Sequence, residues 1–360
     1  MNLKKISVMI GLTLAVTAGF AEAERGRSEG GKSRGVRREH RQVTEGAKLH
    51  KFSTTVEKER PELNEATKKL IAAYRRDPSE ANRAALEKQV RANYEKVLDR
   101  KRAKLEELKR TAREESKVKE MEVIVEEMLR DREHRIAQSM ARFADKRLRP
   151  GSREGEDGFH PLIGAAENVS IAHTEVTNAE YKNFKSDWPF DDNRPVVNVS
   201  YSDAVAYCDW LTTQSAPSTK QQTPSTKHQA LSTNHQALST KHSALSTKYR
   251  LPTEDEWELA AGHMPKDADF NSKGEDGKLS PVDAHKATLG ACGGIDFWGN
   301  AWEWTSTERG KGERAVKGGS WSTPRTLCRT ECRTNSRDEK ARYADVGFRI
   351  VRVEDTGNRR

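Results

Sequence analysis

Gly299-Asn300-Ala301-Trp302-Glu303-Trp304 sets two indoles on either side of one carboxylate, and the company this stretch keeps decides the fold. All seven Trp and all four Cys of the 360-residue chain lie after residue 187, so the aromatic core belongs to the C-terminal half. Tryptophan buries a large apolar area, and most of the Trp read as core or loop pegs in a domain poor in regular elements. Charge divides just as sharply. Residues 24–150 hold 35 Lys and Arg against 24 Asp and Glu, whereas 151–360 hold 27 against 30. The net charge of +9 therefore comes from the N-terminal part and says nothing about the Trp-rich part.

On either side of this stretch the local patterns alternate between short strands and short helices. Val196 to Ser200 alternates toward a short strand, and Tyr201-Ser202-Asp203 starts a helix whose stripe includes Val205, Cys208 and Leu211. Thr253 caps a second helix, with Glu256 at N3 as its capping-box partner. Val346 to Val353 alternates apolar and charged residues, as a half-buried closing strand would. Together these give a compact, loop-rich α+β domain.

Five further blocks accompany the opening stretch. They are Glu175-Val176-Thr177-Asn178-Ala179-Glu180-Tyr181, Arg194-Pro195-Val196-Val197-Asn198-Val199-Ser200-Tyr201, Tyr249-Arg250-Leu251-Pro252-Thr253-Glu254-Asp255-Glu256-Trp257-Glu258, Lys317-Gly318-Gly319-Ser320-Trp321, and Val346-Gly347-Phe348-Arg349. In this order they resemble the formylglycine-generating-enzyme, or sulfatase-modifying-factor, family over about residues 165–353. The resemblance implies a C-type-lectin-like fold with calcium bound in loops. Carried over residue by residue, one calcium site would comprise the Asp296 side chain, the carbonyls of Gly299 and Ala301, and the Glu303 carboxylate. A hard cation wants several oxygens, some of them anionic. The plainer reading is that Asp296 and Glu303 cap loops or pair with arginine. A second site would map to Asp269, Phe270, Asp276 and Lys278.

Enzymes of the family oxidise a cysteine of a client sulfatase to formylglycine with oxygen and copper, holding Cu(I) between two thiolates spaced Cys-x4-Cys after the GGS block. Soft thiolates suit that ion. Here the second thiol position is Cys328, the catalytic candidate, but the first is Thr323. A hydroxyl does not replace a thiolate, and the neighbouring Cys332 gives Cys-x3-Cys instead. The leading expectation is therefore a catalytically silent binding or scaffolding member. Its ligand surface would lie near Ser320, Trp321, Arg325 and Arg333, with a protein or envelope-polymer partner. The alternative is an active copper-dependent oxidase with an altered site and a sulfatase client. A third is a structural envelope protein in which the basic N-terminal part does the work. The family's iron-dependent sulfoxide synthases are set aside, because His40, His50 and His134 lack metal-ligand spacing.

Farther out, residues 216–248 repeat every seven residues (APSTKQQ, TPSTKHQ, ALSTNHQ, ALSTKHS, ALSTK) and offer at most one Leu per unit, too little for a coiled-coil seam. They read as a loop tolerated by the fold. Residues 56–148 show helical periodicity, with Asp77-Pro78-Ser79-Glu80 as a helix start capped by Asp77. They form a long charged helical arm, hairpin or coiled-coil-like, which either spaces the domain or docks on a partner. Residues 24–55 read as a disordered basic linker.

Lys4 and Lys5, the uncharged run Ile6 to Phe20 and Ala21-Glu22-Ala23 read as a cleaved signal peptide, 1–23. The mature chain is then periplasmic or secreted, which argues against nucleic acid as a partner. Four Cys in an oxidising compartment favour disulfides. Four Cys permit three pairings; the family resemblance implies Cys208 with Cys332, leaving Cys292 and Cys328 for a second bridge.

Overall fold

The structure, a computed structural model, describes residues 64–112, 115–147, 158–215, 247–265 and 267–355. The signal segment, the basic linker and the heptapeptide units up to residue 246, with their histidines, lie outside the described residues.

Among the described residues four helices come first: α1 (Glu65–Arg76), α2 (Glu80–Thr111), α3 (Glu115–Arg130) and α4 (Arg132–Ala144). Ile71, Leu86, Val90 and Ile136 close one small core between them, and Leu98, Leu105 and Val125 a second. The α2 start falls two residues later than the sequence suggested. Asp77 ends α1 instead, its N–H bonding the Ala73 carbonyl, while its carboxylate accepts from Ser79 and Asn82.

The rest is a mixed α+β domain. Its elements are β1 (Phe159–Pro161), β2 (Val169–Ala172), α5 (Asn178–Phe184), α6 (Tyr201–Ser215), β3 (Thr247–Arg250), α7 (Glu254–Ala261), β4 (Trp302–Gly310), β5 (Glu313–Lys317), β6 (Ser336–Asp338), β7 (Val346–Gly347) and β8 (Val351–Glu354). Two four-stranded sheets form, ordered β1-β2-β8-β3 and β6-β5-β4-β7. All pairings are antiparallel except β4 with β7. Capping boxes start α7 (Thr253 with Glu256) and α5 (Thr177 with Glu180). Such boxes are set by residues three apart, so the α7 box was readable in advance.

Two local expectations change. Val196–Ser200 joins neither sheet: Pro195 makes an isolated bridge to Thr177, and Asn198 turns left-handed at φ 62°. The closing strand splits in two. Val346 and Gly347 pair with β4 in one sheet, Val351 to Glu354 with β2 and β3 in the other, and Phe348-Arg349-Ile350 crosses between them fully buried.

The disulfides are a correction. Cys208, Cys292, Cys328 and Cys332 are all buried free thiols, so neither Cys208–Cys332 nor Cys292–Cys328 is formed. Cys208 packs with Tyr181, Tyr207 and Trp304, while Cys292 and Cys328 pack with Trp257 and Phe297 in a separate cluster. Each fills space as a small apolar side chain. An even cysteine count carries no information on the separation a bridge requires.

The helices are fastened to the domain by charge. Glu258 of α7, fully buried, accepts from Gln138 (2.8 Å) and Arg135 (3.2 Å) of α4 and lies 3.4 Å from His134. Its other oxygen meets Lys317 (3.0 Å) and Arg333 (3.3 Å). Burial works against ionisation, yet the His134 hydrogen bond and the charges of Lys317, Arg135 and Arg333 hold this carboxyl well below the usual range. Glu127 of α3 pairs with Arg329 (3.0 Å), and Arg147 donates to the carbonyls of Leu162 and Glu167. Glu258→Ala leaves buried Lys317 with Glu254, at 3.4 Å, as its remaining carboxylate partner among the described residues. Removing one partner of a buried pair costs about 3–5 kcal/mol. The variant should lose about 3 kcal/mol in denaturant titration; a loss within error of zero would show that the network does not hold the layers together.

Candidate functional site

The centre of the domain is an acidic core built on one guanidinium. Arg349, at the crossing between sheets, donates through Nε (3.0 Å) and Nη2 (2.9 Å) to the two oxygens of Glu303 on β4. It also donates to the carbonyls of Ala172, His173, Ile295 and Asp296, and it lies 3.9 Å over the Phe297 ring. Trp257 Nε1 donates to the same Glu303 (2.8 Å). Two more carboxylates adjoin them. Asp296, left-handed at φ 59°, accepts from the Asn300 amide at one oxygen (2.9 Å), and its other oxygen is buried without a hydrogen-bond partner. Glu175 is buried with both carboxylate oxygens unpartnered.

Three acids around one cation cannot all ionise cheaply in a dry interior. Burial, then the charges of Asp296 and Glu303, push Glu175 well above the ordinary carboxylate range. Burial likewise pushes Asp296 up to about 7, against the Asn300 hydrogen bond and the Arg349 charge. The fit of the expected calcium quartet is therefore divided. Asp296 offers a free anionic oxygen, as a hard cation requires. Glu303 does not fit, since both of its oxygens serve Arg349 and Trp257. The turn itself is tightly specified: a Cβ on Gly299 would sit 2.0 Å from the Asn271 carbonyl oxygen, at φ 75°.

The second expected quartet meets only in part. Asp269 and Asp276 flank the His285 ring, at 3.3 Å from Nδ1 and 3.5 Å from Nε2. The Lys278 carbonyl accepts from the Asn271 amide (2.7 Å), and Phe270 is buried beneath the Arg325 guanidinium at 4.3 Å.

At the position where the family resemblance expects the first thiol, the Thr323 hydroxyl bonds Ser320 Oγ (2.8 Å) and accepts from the Ser320 N–H (3.1 Å). Ser320 in turn donates to Asp345 (2.9 Å). Cys328 is fully buried, and burial pushes its thiol up to about 12; Cys332 rises to about 11 for the same reason. Gly319 is required here, since a Cβ would sit 2.3 Å from Cys328 Sγ. Lys317 fixes the far side of the loop by donating to the carbonyls of Thr330 (2.8 Å) and Cys332 (2.9 Å). Of the expected surface residues, Trp321 is half-buried and Arg325 donates to the Ala268 carbonyl. Arg333 is committed to Glu254, Asp255 and Glu258.

His134, Asp255 and Glu258 bring three ligand atoms within 4.8 Å of one another, the one such group among the described residues. Arg135, Arg333 and Lys317 already surround Glu258, so a metal would enter against three fixed positive charges. The group reads as an ion-pair network. Sequence reasoning quoted Glu175 and Lys317 inside motifs without a role for either. Their importance arises from burial, which no local pattern reports.

A family model described as "Sulfatase-modifying factor enzyme 1-like domain" matches residues 163–354. The mouse protein named "Inactive C-alpha-formylglycine-generating enzyme 2" is 30% identical over 156 residues. That match covers 35% of this chain and only 37% of the relative's length. Among solved structures, Treponema denticola variable protein 1 aligns at 21% identity with a TM-score of 0.37, covering 51% of this chain and 84% of that one. PvdO from Pseudomonas aeruginosa aligns at 19% identity with a TM-score of 0.37, covering 57% and 88%.

Carboxyls whose folded values lie above their unfolded values favour folding below the unfolded pKa, about 4. That contribution is lost as pH rises through the folded value, about 7 for Asp296. With chelator present, the melting temperature should fall between about pH 4 and pH 7. Glu175→Gln, the neutral isostere, should flatten that slope and melt roughly 2–4 °C higher at the alkaline end. An unchanged slope in the variant would show that the acids are compensated by something else.

Proposed function

This chain belongs to the sulfatase-modifying-factor family, and we propose that it is an exported binding or scaffolding member rather than a formylglycine-generating oxidase. The observation that carries this reading is Thr323. Its hydroxyl stands at the first thiol position and is spent on Ser320, so a two-thiolate Cu(I) site spaced as in the enzymes cannot form. The high thiol pKa of buried Cys328 points the same way, since the thiolate is both ligand and nucleophile. Periplasmic or secreted location and a protein or envelope-polymer partner belong to the same reading. They are supported by the signal-like start and the basic N-terminal stretch. So do a C-type-lectin-like closure of the domain and an arm-like use of α1–α4, for which the length of α2 is the support. Calcium belongs to it on the strength of the unpartnered oxygens of Asp296 and Glu175, with Glu303 committed to Arg349.

One observation favours the oxidase alternative. Cys332 is not held in a bridge, and its charge is one of those that bear on the Cys328 thiol. A shifted Cys328–Cys332 copper pair therefore has both of its thiols.

Thiol and copper titrations separate the two readings. Unfolded without reductant, the protein should release four reactive thiols, and folded it should react only slowly. Against a Cu(I) chelator the wild type should retain no copper, and Thr323→Cys should retain one equivalent. One equivalent held by the wild type and lost in Cys328→Ser would sink the silent reading.

A further inference from the structure

A cavity of about 330 Å³ opens beside α5, lined by none of the acidic-core residues and by none of the Thr323–Cys328 loop. We propose that it binds a small amphipathic anion: a flat apolar body bearing one carboxylate, sulfonate or phosphate. The site goes beyond the binding-or-scaffold reading and stands whether or not that reading holds, since no residue of the thiol loop lines it.

The volume falls within the range of small-ligand pockets, about 300–1,000 Å³. Its apolar side is an aromatic wall. Tyr181, fully buried, meets Trp188 edge-on at 4.9 Å, and Trp188 meets Phe190 the same way at 6.4 Å. The Trp188 indole N–H is spent on Asn178 Oδ1 (3.0 Å), which fixes the ring and leaves only carbon to offer a ligand. Phe190 is 50% exposed, the most exposed large apolar side chain among the described residues, and it lines this cavity. An aromatic wall of this kind holds flat apolar groups.

The polar side is cationic. Lys185, Arg194 and Arg342 line the cavity together with a single acid, Asp203. Asp203 is already committed: it accepts from the Ser200 N–H and hydroxyl and pairs with Arg342 at 2.9 Å. Arg194 is held by Asp192 through Nε (3.1 Å) and Nη2 (2.6 Å), and Arg342 is held by Asp203 through the same two nitrogens. Each guanidinium plane is thus positioned by one carboxylate, with Nη1 outside the pair. Lys185 has no ion pair among the described residues. The surplus is positive and borders the aromatic wall, which selects a ligand carrying both an apolar face and a negative group.

The test titrates the full chain with naphthalene-2-sulfonate, with its uncharged methyl sulfone and with inorganic phosphate, followed by calorimetry and tryptophan fluorescence. One saturable site is expected, with the sulfonate binding roughly tenfold to a hundredfold tighter than the sulfone. Phosphate should bind more weakly than the sulfonate, since it leaves the wall uncovered. Lys185 and Phe190 are exposed, so Lys185→Glu and Phe190→Ala should keep the wild-type melting temperature. Lys185→Glu should weaken only the sulfonate, whereas Phe190→Ala should weaken sulfonate and sulfone alike. Equal affinity for the charged and uncharged probes overturns the proposal. So does phosphate binding as tightly as the sulfonate, or sulfonate binding that neither substitution changes.

Discussion

The buried pair between Arg349 and Glu303 is the constraint around which the domain is arranged. Arg349 lies where the chain leaves one sheet for the other, and its donors reach β4, the end of β2 and the 295–296 turn. Trp257 adds α7 to the same carboxylate. A guanidinium has five donors and no way to lose its charge, so it stays buried only where acceptors surround it. Here they do. The two sheets, which share no strand pairing, are joined at this point by charge and hydrogen bonds as well as by apolar packing.

The same arrangement leaves a surplus. With Glu303 satisfied, Glu175 and Asp296 remain beside it, Glu175 with neither oxygen and Asp296 with one oxygen lacking a hydrogen-bond partner. The interior must then take up protons or a metal ion, and either changes how stability responds to pH. A family resemblance places Glu303 among the calcium ligands. The geometry gives Glu303 to Arg349 and leaves Glu175 with unanswered oxygens.

A second buried charge centre ties the helices to the loop where the family carries its thiols. Lys317 opens the GGSW block and sits opposite Glu303 in the β4–β5 register, yet its ammonium turns to Glu258 and to the carbonyls of Thr330 and Cys332. Glu258 then receives Arg135 and Gln138 from α4, and Arg329 of the same loop receives Glu127 from α3. The helices therefore pack onto the face that bears Cys328 and Cys332. A layer held by buried ion pairs is an integral part of that face.

The parts settled by the sequence alone were those with short-range causes. The Thr253–Glu256 capping box and the helix from Tyr201 follow from residues three and four apart. Thr323 in place of a thiol is a matter of identity and needed no structure. Tertiary structure decided whatever depended on long-range neighbours. The alternation of Val346 to Val353 was real, but one strand and two strands joined by a buried crossing read alike in sequence. The cysteine count suggested bridges, and the fold leaves four buried thiols. Glu303 in GNAWEW read first as a calcium ligand, with loop capping or an arginine partner as the plainer reading, and only the fold brings Arg349, 46 residues away, within 3.0 Å of it. Pairing of buried charges is set by which residues reach the same dry volume, and separation along the chain does not encode that.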